Sequence, residues 1–165
     1  MFTEEIADFL DNGVKNLMGV DENTLAFNLY NGDLNVIDLR NTKEPLCFMK
    51  LRSKKMLKVD DKIVFIDEDN VLYEFEYNEN KTTEIMRLSN KISSNVVSLN
   101  SKLFYTTLDS TFCTANIINK IEKPICSMSQ DVNCFALNAP PCSYLAVGNK
   151  SGQITLYKSL NLDDF

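Results

Sequence analysis

The sequence predicts an all-β chain, a small four-bladed β-propeller or a half-propeller, and three observations lead there. Four apolar segments echo one another: Leu25-Ala26-Phe27, Ile63-Val64-Phe65, Leu103-Phe104-Tyr105 and Leu145-Ala146-Val147. They begin 38, 40 and 42 residues apart. Six residues after each start stands a turn dipeptide: Asn31-Gly32, Asp69-Asn70, Asp109-Ser110 and Ser151-Gly152. Apolar runs flank each dipeptide, so every unit reads strand–turn–strand. A repeat of about 40 to 45 residues with that content is the pattern of propeller blades.

The elements follow in order. In the first unit, 14–18 can form a strand, Asp21-Glu22-Asn23 a polar turn, and 25–29 the next strand. Asn31-Gly32 then predicts a type I′ turn, because both central residues of that turn need positive φ. Strands at 34–39 and 46–49 complete the unit, the last entered through Pro45, which an edge strand tolerates. The second unit repeats this with 56–59, 63–66, 71–77 and 85–88, and the third with 96–99, 103–107, 112–118 and 125–128. The fourth has three strands, 132–137, 144–147 and 154–157. The blades are thus approximately 11–50, 54–89, 94–129 and 131–158, within one domain spanning 1–165. Polar/apolar alternation is weak in most strands, as it is where both faces of a sheet are covered. In 71–77, Val71, Tyr73, Phe75 and Tyr77 share a face opposite Glu74 and Glu76.

The fourth unit lacks its last strand, and Ile6-Ala7-Asp8-Phe9-Leu10 offers one. Residues 4–10 beside 154–157 would complete the last blade and remove an exposed edge. An amphipathic helix over residues 4–17 is the competing reading, since Glu4, Glu5, Ile6, Phe9 and Leu10 also fit helical spacing.

Two units resemble WD40 repeats. Gly32-Asp33-Leu34-Asn35-Val36-Ile37-Asp38-Leu39 resembles the end of one, with Ile37-Asp38 at the Trp-Asp position. The stretch from Leu145 through Gly152 to Tyr157 resembles another, with Tyr157-Lys158 at that position. Phe75-Glu76 and Ala115-Asn116 stand there in the middle units. The chain has no His, so the family's Gly-His pair and its hydrogen-bonded tetrad are missing. The resemblance implies a non-enzymatic protein–protein interaction scaffold.

Charge and composition narrow the chemistry. The net charge of −6 repels phosphate backbones and anionic membrane surfaces on average. No apolar run reaches the ~18 residues of a membrane-spanning helix. The acidic start, Met1-Phe2-Thr3-Glu4-Glu5, lacks the basic character of a targeting segment. Cys47, Cys113, Cys126, Cys134 and Cys142 show no C-x-x-C spacing, which predicts buried, reduced thiols and a cytoplasmic or nuclear setting. Without His there is no Ser-His or Cys-His nucleophile pair and no mixed zinc site. The five Gly do not cluster into a phosphate loop. Asp60, Asp61, Asp67, Glu68 and Asp69 could be paired carboxylates of a glycosidase, but their place in turns reads as solvated side chains. No cofactor, metal or small-molecule substrate is expected.

One charge contrast stands out. Lys50, Arg52, Lys54, Lys55 and Lys58 fall within nine residues that contain no acid. In the repeat frame they link one blade to the next, on the face that carries the tight hairpins. Solvated loop residues are the plain reading; a contact to phosphate or an acidic peptide is the sharper one. Met56 and Leu57 among them read as packing. Phe165, after Asp163-Asp164, is a candidate docking anchor. The leading expectation is a protein-binding subunit of a larger cytosolic or nuclear assembly. The alternative is a ribosome- or RNA-associated factor that docks through segment 50–58 within a ribonucleoprotein.

Overall fold

The computed structural model describes residues 13–128, 132–138 and 144–158, save the side chains of Ser94 and Lys158. The chain divides into two compact units, Met1–Ile85 and Met86–Phe165. The first unit holds two sheets. One is β1 (Val14–Gly19), β2 (Thr24–Leu29), β3 (Leu34–Asp38) and β4 (Cys47–Met49), hydrogen-bonded in that order. The other is β5 (Ser53–Val59), β6 (Lys62–Asp67), β7 (Val71–Glu76) and β8 (Lys81–Arg87), also in chain order. The second unit holds β9 (Ile92–Leu99), β10 (Lys102–Thr107), β11 (Thr111–Asn116) and β12 (Ile121–Ser127), again in sequence, then a three-stranded sheet. Its strands are β13 (Val132–Asn138), β14 (Tyr144–Asn149) and β15 (Ile154–Lys158).

The four echoing hairpins share one hydrogen-bond scheme. The amides of Gly32, Asn70, Ser110 and Gly152 bond to the carbonyls of Leu29, Asp67, Thr107 and Asn149. The donors have φ of 88, 60, 61 and 83°, while the two residues between donor and acceptor do not have positive φ. This corrects the expected type I′ turn at Asn31-Gly32. The loop has one more residue, so an ordinary turn is followed by a single left-handed residue, the commonest three-residue hairpin. The two-residue I′ geometry occurs instead at Asn100-Ser101 (φ 48 and 56°), between the paired residues Leu99 and Lys102. Side chains fasten the loops. Asp67 Oδ1 accepts from the amides of Asp69 (2.9 Å) and Val71 (2.8 Å), and Asn149 Oδ1 from those of Ser151 and Gln153.

Each unit has its own core. In the first, Val20, Ala26, Leu34, Val36, Cys47, Met56, Ile63, Phe65 and Phe75 pack together. Phe27, Leu29 and Ile37 form a second cluster on the other face of the first sheet. Apolar side chains on both faces explain the weak alternation of its strands. In the second unit, Phe104, Phe112, Met128, Phe135, Leu145 and Val147 make the core, with Phe112 edge-on to Phe135 at 5.2 Å. Burying each such side chain contributes roughly 1.5–3 kcal/mol.

Three sequence readings change. β1 runs through residues 14–17, so the helix proposed for 4–17 does not reach them. The strand pairing of β1 with β2 outcompetes the weak helical spacing there. β8, β9 and β12 start four residues earlier than the apolar runs suggest; the leading residues of β8 and most of those of β12 are exposed, and backbone pairing holds all three strands. Cys47 and Cys113 are buried and Cys126 half-buried, but Cys134 is exposed. The last-blade strand proposed at residues 4–10, Cys142 and Phe165 lie outside the described residues.

Candidate interaction surface

The basic segment is built on a strand, a link and a strand. From 46 to 52 exposure alternates with period two: Leu46, Phe48, Lys50 and Arg52 point outward. Cys47 is buried in the core of the first unit, and Met49 and Leu51 pack against it. The chain is therefore extended through the link and keeps one face in the core.

The link is fastened to the β2–β3 hairpin. The Ser53 amide bonds to the Gly32 carbonyl at 3.3 Å. A Cβ on Gly32 would lie 2.5 Å from the Leu51 carbonyl oxygen and 3.0 Å from the Arg52 Cα, so only glycine fits. Buried Asn28 completes the joint. Its Nδ2 donates to the Ser53 Oγ (3.2 Å) and carbonyl (3.3 Å), and its Oδ1 accepts from Asn16 Nδ2 at 2.8 Å. One side chain thus ties β1, β2 and the start of β5. Lys50 and Arg52 emerge at the end of the unit that carries this hairpin, as the repeat frame predicts.

The five cations do not all share that end. Lys50 and Arg52 are exposed, and Lys54 and Lys55 half-buried. Lys54 sits at a break in register between Ser53 and Lys55, and similar breaks mark β1 and β13. Such bulges re-aim a side chain. Lys58 Nζ donates to the Val20 carbonyl, just beyond the far end of β1. At ~3.3 Å per residue, Lys54 and Lys58 stand about 13 Å apart along β5. A loop would have let the charges gather; a strand spreads them. Met56 and Leu57 are buried, as their packing role requires. Tyr30, 71% exposed, stands in the same hairpin as Gly32, so the fold puts an aromatic ring at the cationic end where the linear sequence shows none.

The acidic candidates lie in turns. Asp60 is left-handed in the β5–β6 turn, and the Asp67 carboxylate is occupied by its own loop amides. Among the described residues no three His, Cys, Asp or Glu side chains are placed to hold a metal. A cavity of about 220 Å³ lies beside Asp61, Glu74, Glu76 and Glu79, of which Glu74 pairs with Lys62 at 2.8 Å and Glu76 with Lys81 at 3.5 Å.

Sequence reading missed one polar node. Buried Tyr105 donates its hydroxyl to Glu122 Oε1, and Glu122 Oε2 accepts the Ser89 amide at 2.7 Å. Burial, then the Glu122 bond, push the Tyr105 phenol well above its usual range. Burial, with Glu122 and Asp109 nearby, pushes the Cys113 thiol up to about 11. A lone Glu between Ile121 and Lys123 was the available signal, and nothing in the sequence places it opposite Tyr105. On the surface, the Arg40 guanidinium beside Asp38 (2.7 Å) holds that carboxyl at about 2.

No protein-family model matches the chain, and no curated protein sequence matches it. Solved structures do. The computationally designed Ika4 protein is similar over 95% of this chain and 99% of its own, at 11% identity and a TM-score of 0.69. The C-terminal WD40 domain of Sif2 is similar over 92% of this chain, at 14% identity and a TM-score of 0.64. BBS1N, solved in complex with ARL6DN, is similar over 82% of this chain, at 12% identity and a TM-score of 0.61. The chain spans 44% and 47% of the last two, a little under half their length. At such identities the likeness establishes the fold alone: an all-β, four-bladed β-propeller fold.

Proposed function

We propose that this chain is a non-enzymatic scaffold that holds proteins together within a larger cytosolic or nuclear complex. The observation that carries this reading is where its large apolar side chains are exposed. Tyr30 and Leu108 (67% exposed) occupy the same position in two echoing hairpins, Ile118 (75%) tips another, and Leu46, Phe48, Ile154 and Leu156 lie on sheet edges. Apolar residues exposed on loops and sheet edges suit docking. The likeness to WD40 domains supports the reading by analogy, since fold alone does not dictate function. BBS1N, a structure of similar fold, was solved with a protein partner. The test is the native size of the particle that contains the tagged chain in extracts of its source cells. Elution far above the free chain is expected; elution at the size of the recombinant chain overturns the proposal.

A second reading, contact with RNA backbone inside a ribonucleoprotein or ribosome, draws on the exposed Lys50 and Arg52 with Tyr30 at the same end. Lys54→Glu with Lys55→Glu would abolish co-sedimentation with the ribonucleoprotein, and nuclease would release the wild-type chain. Co-sedimentation unchanged by both treatments removes this reading.

A further inference from the structure

We propose that the outer edge of β4, continued through Lys50-Leu51-Arg52, is a strand-addition site for an extended partner segment that is apolar in one half and acidic in the other. The proposal rests on the scaffold reading and names its partner's chemistry. β4 is the last strand of its sheet, so one row of its backbone groups faces away from β3. An exposed edge of this kind is a template for another strand. Its outward side chains come in order: Leu46 (53% exposed) and Phe48 (46%), then Lys50 and Arg52. A strand laid along residues 46–52 would place side chains opposite these four, and cross-strand pairs of matching character stabilise such a pairing. Apolar residues would face Leu46 and Phe48; carboxylates would face Lys50 and Arg52.

The last strands of the other three sheets differ. The outer strand β8 exposes Lys81, Thr82, Thr83 and Glu84, charges of both signs with no apolar pair. β12 carries Pro124, which has no amide to donate, in its middle. β15 exposes Ile154 (79%) and Leu156 (54%) and has a single cation in its sequence, the terminal Lys158, where segment 46–52 has two. Among the described residues of these four outer strands, 46–52 is the stretch where two exposed apolar residues are followed by two exposed cations on a chain whose opposite face is buried. That buried face, with the Gly32 contact and the Asn28 bonds, pre-organises the edge, which lowers the entropic cost of binding.

The probe is a fluorescein-labelled peptide, Glu-Thr-Glu-Thr-Val-Thr-Ile-Thr, whose alternate residues present two acids and then two branched apolar side chains. Saturable binding is expected, with slowed amide exchange at residues 46–50 on addition of peptide. Replacing both Glu of the peptide by Lys, or its central Thr by Pro, should abolish it. Lys50→Glu with Arg52→Glu should weaken it by about ten-fold or more at low salt, and Phe48→Thr, at an exposed position, by a smaller factor. Absence of saturable binding at millimolar peptide, protection of β15 instead of β4, or equal affinity for the Lys-substituted peptide overturns the proposal. So does displacement of the peptide by oligouridine that itself binds more tightly, which favours nucleic acid. If the doubly reversed variant stays in its cellular assembly while peptide binding is absent, the edge proposal falls and the scaffold reading stands. If the peptide binds but the chain is found free in cells, the scaffold reading falls and the edge remains.

Discussion

β4 and β12 end the first and third sheets in the same topological place, and they treat that place in opposite ways. β4 is three residues long, stands on a buried apolar face, and turns Phe48 outward with Leu46, Lys50 and Arg52 beside it. β12 is seven residues long, interrupts its edge with Pro124, and turns Glu122 inward to Tyr105 and Ser89. On the strand-addition proposal, one edge can pair and the other is interrupted by a residue without an amide. The comparison teaches that a repeated frame fixes where edges fall, whereas individual residues decide which edge can accept a strand.

The largest effect should come from the joint beneath the open edge. Gly32→Ala meets the Leu51 carbonyl at 2.5 Å and needs a left-handed alanine, so a loss of about 3 kcal/mol or more is expected in urea unfolding. Gly152→Ala shares the hairpin position and the positive φ but has nothing within 4 Å, so it should cost only ~1–2 kcal/mol. Equal losses would mean that close packing of the link does not hold the edge in place.

Next is the blocked edge's inner anchor. Tyr105→Phe leaves Glu122 Oε1 without its donor and should cost about 1–3 kcal/mol at neutral pH. The alkaline limb has a definite sign. The Tyr105 and Cys113 acids are raised in the folded chain above 10.0 and 9.0. Their neutral forms therefore contribute stability that is fully present below those values and is lost as pH rises through and above them. Wild type should lose stability between pH 9 and 11, and Tyr105→Phe should lose less over that range, in urea midpoints measured at each pH.

Pro124→Ala should change stability by less than about 0.5 kcal/mol, since the residue is exposed. It restores an amide to the edge, so concentration-dependent self-association by sedimentation velocity is the expected readout. A variant that stays monomeric would show that Pro124 does not block pairing.

The smallest effect lies on the surface. Arg40→Ala should let the Asp38 carboxyl rise from about 2 toward 3.8, seen in a carboxyl carbon NMR titration. Because that pKa is lowered by folding, its contribution is present above pH 3.8 and lost as pH falls through about 2, and stability at neutral pH should hardly move.

Much of the architecture was legible. Each of the fifteen strands among the described residues overlaps an apolar run read from the sequence, because a hairpin advertises itself locally through residues that tolerate positive φ. Asn70 and Ser110 replace Gly in the middle hairpins and adopt the same conformation (φ 60 and 61°). The strand starts of β8 and β12 were not legible, since exposed outer strands need only backbone pairing. The site was half legible. The cationic run was plain, but its spread along β5 and the use of Lys58 on the Val20 carbonyl depend on contacts between distant segments.

By itself the sequence determined the period, the hairpins and the all-β class, since each rests on preferences spanning a few neighbouring residues. Only the tertiary structure decided which face each strand buries, that Glu122 meets Tyr105, and that Leu46, Phe48, Lys50 and Arg52 line one exposed edge. Burial and pairing are properties of residues brought together from far apart in the chain, and no local pattern encodes the partner that folding supplies.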